Sequence, residues 1–299
     1  MFFGKLKIKV SDRLLTLWMI ACFMLIIFLP VLILLCLCFK STAVLGSTGI
    51  LELLFGSAWQ PGDGNFGYLP FILSSVYVTL TALLISVPIC LLAGIFVTFY
   101  LKEKYLKITH IIVDVLAGIP SVIYGVWGVL LVVPLVSKVL GPFFGIQTSG
   151  YTLLTGALVL SLMIIPFSMN ILLDVFKTIP SGLSEASLSL GAGKWETIKK
   201  VVLRRAFPGI ISAFMLGFSR AFGETIAVLM VVGNVAIIPD GIFKPAYPLP
   251  ALIANNYGEM MSVDMYDSAL MFAALILFVL VLLFNLAARL TVSKLYSNH

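Results

Sequence analysis

Long apolar stretches, separated by short polar connections, make up most of the chain. Each stretch holds about 18 or more largely apolar residues, the length that a helix needs to cross the hydrocarbon core of a bilayer. The stretches do not alternate between apolar and polar positions, which favours helices over the strands of a barrel. The pattern predicts an all-α polytopic membrane protein with six transmembrane helices, at residues 14–39, 71–101, 110–136, 151–176, 206–236 and 266–290.

Composition and charge indicate the class of protein and its orientation in the membrane. Of the 299 residues, 61% are hydrophobic and 11% charged, which excludes a soluble domain of this size. Of the 19 Lys and Arg residues, 15 fall in the connections on one side, three (Lys40, Lys138 and Lys244) fall on the other, and Arg220 lies within a span. The positive-inside rule therefore predicts that both termini are cytoplasmic. The net charge of +6 is explained by topology and does not indicate nucleic-acid binding.

These patterns divide the chain into five segments. We expect a cytoplasmic tail, a first transmembrane helix that is retained rather than cleaved as a signal peptide, an external loop, a core of five transmembrane helices and a second tail. They cover residues 1–13, 14–39, 40–70, 71–290 and 291–299. The four cysteines lie in apolar runs without a C-x-x-C pair, which is typical of small apolar residues.

Two charged residues, Arg220 and Glu224, interrupt the fifth apolar run. A helix would place them one turn apart on one face, and an unpaired charge in hydrocarbon costs several kcal/mol. One interpretation is a structural ion pair, although an exposed pair contributes only about 0.3–0.5 kcal/mol. The other is functional: the guanidinium fork matches the oxygens of an oxyanion. The carboxylate would balance the arginine when the path is empty, or accept the proton of a protonated oxyanion such as hydrogen phosphate. We favour a relay for an anion.

The stretch "AGIPSVIYGVWG" in the third run is a second candidate lining of a substrate path. Ser121 could expose a hydroxyl beside Pro120, where the helix is loosened by glycines. The alternative is simple close packing of helices around a proline kink.

The loop 178–205 is the only long cytoplasmic connection, and its pattern predicts two short helices around a glycine elbow. Ser181 is expected to cap the first helix, whose first turn holds Glu185. Gly191 ends that helix, and a second helix begins at Trp195, with a Glu196–Lys200 pair on its surface. Such a unit either lies on lipid or binds a partner.

The same loop contains "GAGK", which resembles the end of a phosphate-binding loop. Leu188 and Trp195 stand where that motif requires Gly and Ser or Thr, so the loop is not a nucleotide site. The sequence offers no metal-ligand cluster and no catalytic nucleophile. We therefore expect no enzymatic activity, no cofactor and no metal, and energy for uphill transport would come from a partner chain.

The segment "EASLSLGAGKWETIKKVVL" resembles the E-A-A-x-x-x-G signature of bacterial ABC importer permeases. Glu185, Ala186 and Gly191 match it, Ser187 replaces the second alanine, and Arg204 stands where the family has a proline. The stretches "AWQPGDGNFGYLPFI", "AGIPSVIYGVWG" and "SRAFGETIAVLMVVGN" are similar to the permeases of the phosphate-specific (Pst) system, and to PstC rather than PstA. The resemblance extends from about Glu52 to Asn234.

This resemblance implies a type I ABC importer permease fold in the bacterial inner membrane and transport of inorganic phosphate. It implies as partners a second, PstA-like permease, two PstB-like ATPase subunits that bind ATP, and an external PstS-like phosphate-binding protein, besides membrane lipid. Glu185, Ala186 and Gly191 would dock on the ATPase, and Arg220 and Glu224 match the charged pair associated with phosphate passage. Two alternatives remain: a permease for sulfate or molybdate, and a self-contained channel or secondary transporter.

Overall fold

The computed structural model describes residues 10–258 and 265–297, and within these ranges the protein is mostly helical. The helices are α1 (Val10–Lys40), α2 (Thr42–Ser47), α3 (Ile50–Phe55), α4 (Leu69–Phe99), α5 (Glu103–Gly118), α6 (Ser121–Phe143), α7 (Leu153–Lys177), α8 (Ser181–Ser189), α9 (Lys194–Phe222), α10 (Ile226–Leu229), α11 (Leu249–Asn256) and α12 (Tyr266–Ser297). A two-stranded hairpin, β1 (Trp59–Gln60) and β2 (Asn65–Phe66), lies between α3 and α4.

Six of these helices, α1, α4, α6, α7, α9 and α12, are long and apolar enough to cross a membrane. The predicted all-α class with six spans is therefore confirmed. The third span is displaced from its predicted position at 110–136, because the chain forms two helices there. α5 ends at Gly118 and α6 begins after Pro120. Proline disfavours helical geometry in the residue before it and lacks the N–H that would continue the hydrogen-bond ladder.

The fifth span also differs from its predicted range, 206–236. α9 begins at Lys194, runs without interruption through Arg204 and ends at Phe222. An arginine retains the N–H that the family's proline would remove, so the helix can continue through this position. At the other end Gly223 and Thr225 have low helix propensity, and the chain turns before the short helix α10.

Helix α7 is the centre of the bundle. Two-thirds of its most apolar 18-residue window are buried (67%), and it packs against α4, α5, α6 and α9. α1 is its opposite: none of its corresponding window is buried, and it contacts α12 and the short helix α2. An apolar helix with so little protein contact is suited to face lipid.

The segment between α1 and α4 folds onto the ends of α4 and α12 through aromatic side chains. The indole of Trp59 lies with its centroid 5.0–6.3 Å from four other rings, those of Phe66, Tyr68, Phe71 and Tyr266. The Tyr68 hydroxyl donates to the Ala269 carbonyl of α12 at 2.7 Å. Burial raises the pKa of this phenol well above its ordinary value, so it remains a donor.

Helix α6 approaches its neighbours most closely at Gly128. A β-carbon at this position would lie 2.6 Å from Cγ2 of Val159 in α7 and 2.9 Å from Cγ1 of Val231. Both valines are fully buried, and a β-branched side chain has little freedom to rotate away. The glycine therefore sets the position of α6 in the bundle.

We expect Gly128→Ala to destabilise the protein by about 1–3 kcal/mol, because the added methyl group overpacks this contact. Adding Val159→Ala should recover part of the loss, although Val159→Ala alone also destabilises. The measurement is the thermal midpoint of the purified protein. Gly118→Ala is the matched control, since its β-carbon would meet nothing within 4 Å. Equal midpoints for Gly128→Ala and Gly118→Ala would contradict the packing assignment.

Candidate functional site

Arg220 lies in the last turn of α9, and its side chain is exposed on the isolated chain. Its Cζ atom is 4.8 Å from the ring centroid of Phe167 in α7. The aromatic face and the partially negative C-terminal end of α9 both favour a cation. Among the described residues, no carboxylate forms an ion pair with Arg220. The guanidinium is held in place while its donors remain free for an anion.

The prediction that one helix carries both Arg220 and Glu224 was wrong. It assumed a continuous helix, whereas α9 ends at Phe222. The Oε1 atom of Glu224 instead accepts a hydrogen bond from the Ala227 amide at 3.5 Å, at the start of α10. Glu224 also borders a narrow cavity beside Ser75 and Thr79 of α4. The two charges therefore face different neighbours, and they form no ion pair in this structure.

Ser121 is the first residue of α6 and is half-buried. It lies one turn before Tyr124, so both side chains lie on similar faces of the helix. The Tyr124 hydroxyl donates to the Leu116 carbonyl at 2.9 Å and thereby ties α6 to the end of α5. At Gly125 a β-carbon would lie 3.2 Å from Cα of Ala227, so close packing also occurs along this helix. Ser121 as a lining residue remains a prediction.

Two bonded polar residues were missed in the sequence, Asp114 of α5 and Asn170 of α7. The Asn170 amide donates to Oδ1 of Asp114 at 2.8 Å. Asn170 lies one turn after Phe167, so it shares the α7 face against which Arg220 rests. Asp114 is the only acidic residue in the predicted third span, 110–136. The cost of a charge in an apolar run, which singled out Arg220, could have identified Asp114 as well.

The loop 178–205 has the predicted helix–glycine–helix form. α8 covers Ser181–Ser189, Gly191 has φ +86°, and α9 begins at Lys194. The Glu196–Lys200 ion pair is present at 2.5 Å. A left-handed φ is accessible to glycine at little cost, which explains the residue at the elbow.

Two details of this loop were predicted wrongly. Pro180 precedes the first helical residue of α8, and Ser181 is that first residue, so Ser181 makes no capping hydrogen bond. Proline at this boundary has a fixed φ and sets the entry of the chain into the helix. Glu185 consequently lies beyond the first turn, and no acidic residue occupies that turn.

Part of the outer surface of the loop is apolar, and polar contacts hold the loop together. The Ser187 and Thr197 hydroxyls lie 2.9 Å apart, and Lys194 Nζ lies 4.6 Å from the Tyr100 ring centroid at the end of α4. Glu185 and Ala186 are exposed. Four large apolar side chains are exposed with them, Leu183, Leu188, Leu190 and Trp195, and Leu190 is 89% exposed. Such a surface is typical of a protein–protein contact.

Comparisons with known proteins agree with this architecture. The family described as "Binding-protein-dependent transport system inner membrane component" matches residues 90–295. The phosphate transport system permease protein PstC of Mesorhizobium japonicum is 37% identical over 257 residues, which cover 81% of this chain and 78% of the relative. PstC of Haemophilus influenzae is 33% identical, and the match covers 82% of this chain and 81% of the relative. The probable ABC transporter permease protein YqgH of Bacillus subtilis is 36% identical, with 80% and 76% covered.

Two solved transporters share the fold. A bacterial ABC transporter involved in the import of alginate superposes with a TM-score of 0.66 at 17% identity, and 96% of this chain and 97% of that chain are covered. The MetNI methionine ABC transporter gives a TM-score of 0.57 at 21% identity, and the match covers 74% of this chain and 93% of that chain. The fold is that of type I ABC importer permeases. The chain therefore belongs to the inner membrane components of binding-protein-dependent ABC transporters, and among them to the PstC family of permeases.

Proposed function

We propose that this protein is the permease subunit that moves inorganic phosphate into the cell in an ATP-driven importer. The observation that supports this most is the guanidinium of Arg220, held over Phe167 without a carboxylate partner in the described residues of a membrane-spanning bundle. Relatives named PstC support phosphate as the substrate. The basic residues of the connections support cytoplasmic termini and an external loop 40–70.

Arg220 would bind the phosphate during its passage. Guanidinium offers a planar set of donors that can bond two phosphate oxygens at once, and such charge-assisted bonds are about twice as strong as neutral ones. Phe167 keeps the group oriented without supplying a competing anion. Ser121 would add a hydroxyl at the start of α6, and Glu224 would balance the positive charge from the α10 side when the path is empty.

The loop 178–205 would bind an ATPase subunit through Glu185, Ala186 and its apolar surface. This chain would therefore hydrolyse no ATP itself. Two copies of the ATPase, a second related permease and an external phosphate-binding protein would complete the transporter. The loop connects α7, which contains Phe167, directly to α9, which contains Arg220. A partner that moves the loop would thus act on both Phe167 and Arg220.

A permease for another oxyanion, sulfate or molybdate, is the second candidate. The free guanidinium of Arg220 favours an oxyanion in general, because its fork matches two oxygens of any of them. The names of the relatives favour phosphate. A self-contained channel would leave the exposed apolar surface of the loop 178–205 without a partner.

Arg220→Ala should reduce phosphate uptake at least about tenfold, because the passing anion loses its charge-assisted hydrogen bonds. Arg220→Lys should recover little, since an ammonium group cannot form the bidentate fork. The measurement is uptake of radiolabelled phosphate by cells that have no other phosphate importer, at matched permease abundance. Arg289→Ala in α12 is the control and should leave uptake unchanged. Normal uptake by Arg220→Ala would contradict the proposed role.

Gly191→Val should weaken ATPase binding and stop uptake while the permease remains inserted. A β-carbon at Gly191 would meet nothing within 4 Å, so the effect must come from the φ of +86°, which a branched residue adopts at a cost of at least about 1 kcal/mol. Gly191→Asn is the matched variant, since asparagine tolerates this conformation, and it should retain most activity. The measurement is co-purification of the ATPase together with uptake. Full activity of the valine variant would show that the elbow is not needed for coupling.

A further inference from the structure

Asp114 is a carboxylate on an otherwise apolar part of α5. Its neighbours Ile111, Ile112 and Val115 are exposed on the isolated chain, as is Asp114 itself. A carboxylate that faced lipid here would be costly, so Asp114 is expected to face water or a charged or polar partner. The Asn170 amide donates to its Oδ1 atom. Among the described residues, Oδ2 has no hydrogen-bond partner, so one oxygen is held in place while the other is available.

One set of contacts leads from Arg220 to Asp114 through α7. On α7, the ring beneath Arg220 belongs to Phe167, and Asn170 follows one turn later, about 5 Å along the axis. The Tyr124 hydroxyl of α6 donates to the carbonyl of Leu116, two residues after Asp114, so α6 is joined to the same part of α5. A donor fork and a fixed acceptor therefore lie around the same part of the bundle.

We propose that Asp114 is a specificity-determining residue of the anion path. Its free oxygen accepts the hydrogen bond from the protonated oxygen of hydrogen phosphate, while Arg220 binds the deprotonated oxygens. Asn170 is a positioning residue that holds the carboxylate. This inference rests on the proposed function, because it assumes that the anion contacts Arg220.

The proton carried by phosphate is the basis on which Asp114 would distinguish phosphate from sulfate and molybdate. Inorganic phosphate has at least one hydroxyl group at neutral pH, whereas sulfate and molybdate have none. A fixed carboxylate repels every oxyanion, and only a protonated one recovers the cost through an O–H···O hydrogen bond. Sites that bond a substrate hydroxyl reject analogues that lack it. Asp114 therefore selects among anions that Arg220 alone would bind equally.

Glu224 is less suited to this role. Its Oε1 atom accepts from the Ala227 amide, and its surroundings belong to α4 and α10. Asp114 instead is bonded to Asn170, one turn along α7 from the Phe167 ring on which Arg220 rests. Neutralising Asp114 is therefore expected to change the selectivity between anions, whereas neutralising Glu224 is not.

The test is equilibrium binding of radiolabelled phosphate and sulfate to the purified, assembled transporter without its external binding protein. The wild-type protein should bind phosphate at least about tenfold more tightly than sulfate. Asp114→Asn removes the repulsion and should bring the ratio of the two dissociation constants close to one, mainly through tighter sulfate binding. Asn170→Ala should lower the ratio less. Asp174→Asn is the control on α7: its carboxylate pairs with Lys177 at 3.2 Å, and the ratio should not change.

Each other outcome overturns the inference in a distinguishable way. If Arg220→Ala loses both anions while Asp114→Asn keeps the wild-type ratio, Asp114 is not the selecting group and the proposed function stands. If Arg220→Ala binds phosphate normally, the role of Arg220 fails and the inference with it. If the wild-type protein binds both anions equally, or neither, the inference is wrong. If the only effect of Asp114→Asn is that the second permease no longer co-purifies, Asp114 is a residue of the interface between the two permeases and the inference is wrong.

Discussion

Arg220, which pairs with no carboxylate among the described residues of an apolar bundle, is the constraint on which the rest of the structure depends. Lipid would penalise the charge of Arg220 by several kcal/mol, so its surroundings must stabilise a cation without neutralising it. Two features do so: the C-terminal end of α9 and the face of the Phe167 ring. The first of these requires the helix to end just after Arg220. The break at Gly223 is therefore part of the site, not an interruption of it.

The arrangement of the helices links this site to the loop 178–205. α7 is the most buried of the spans, it contains both Phe167 and Asn170, and it leads directly into the loop. The same loop leads into α9 and thus to Arg220 at the opposite end of that helix. Packed helices transmit displacement because they deform little. A partner that moves the loop would change the relation between Arg220 and Phe167, which is where our proposal places the anion.

Hydrophobic length was enough to predict six spans, because the cost of unsatisfied backbone groups in lipid leaves few alternatives. The glycine elbow at Gly191 was also predictable, since its helix boundaries are local. The breaks at Pro120 and Gly223 were not, because proline and glycine are tolerated within many membrane helices and tertiary packing decides the outcome. That error placed Glu224 and Arg220 on one continuous helix. The contacts of Phe167, Tyr124 and Asn170 join separate helices, and no local pattern contains them.

The most direct test of a guanidinium-dependent path is chemical rescue of Arg220→Ala. We expect added guanidinium ion to occupy the space beside Phe167 and restore a measurable part of phosphate uptake, whereas methylammonium at the same concentration should not, because it lacks the planar fork. Gly191→Val should not respond to either ion. Uptake that stays at the level of the Arg220→Ala variant with guanidinium, or that methylammonium restores equally, would contradict the role proposed for Arg220.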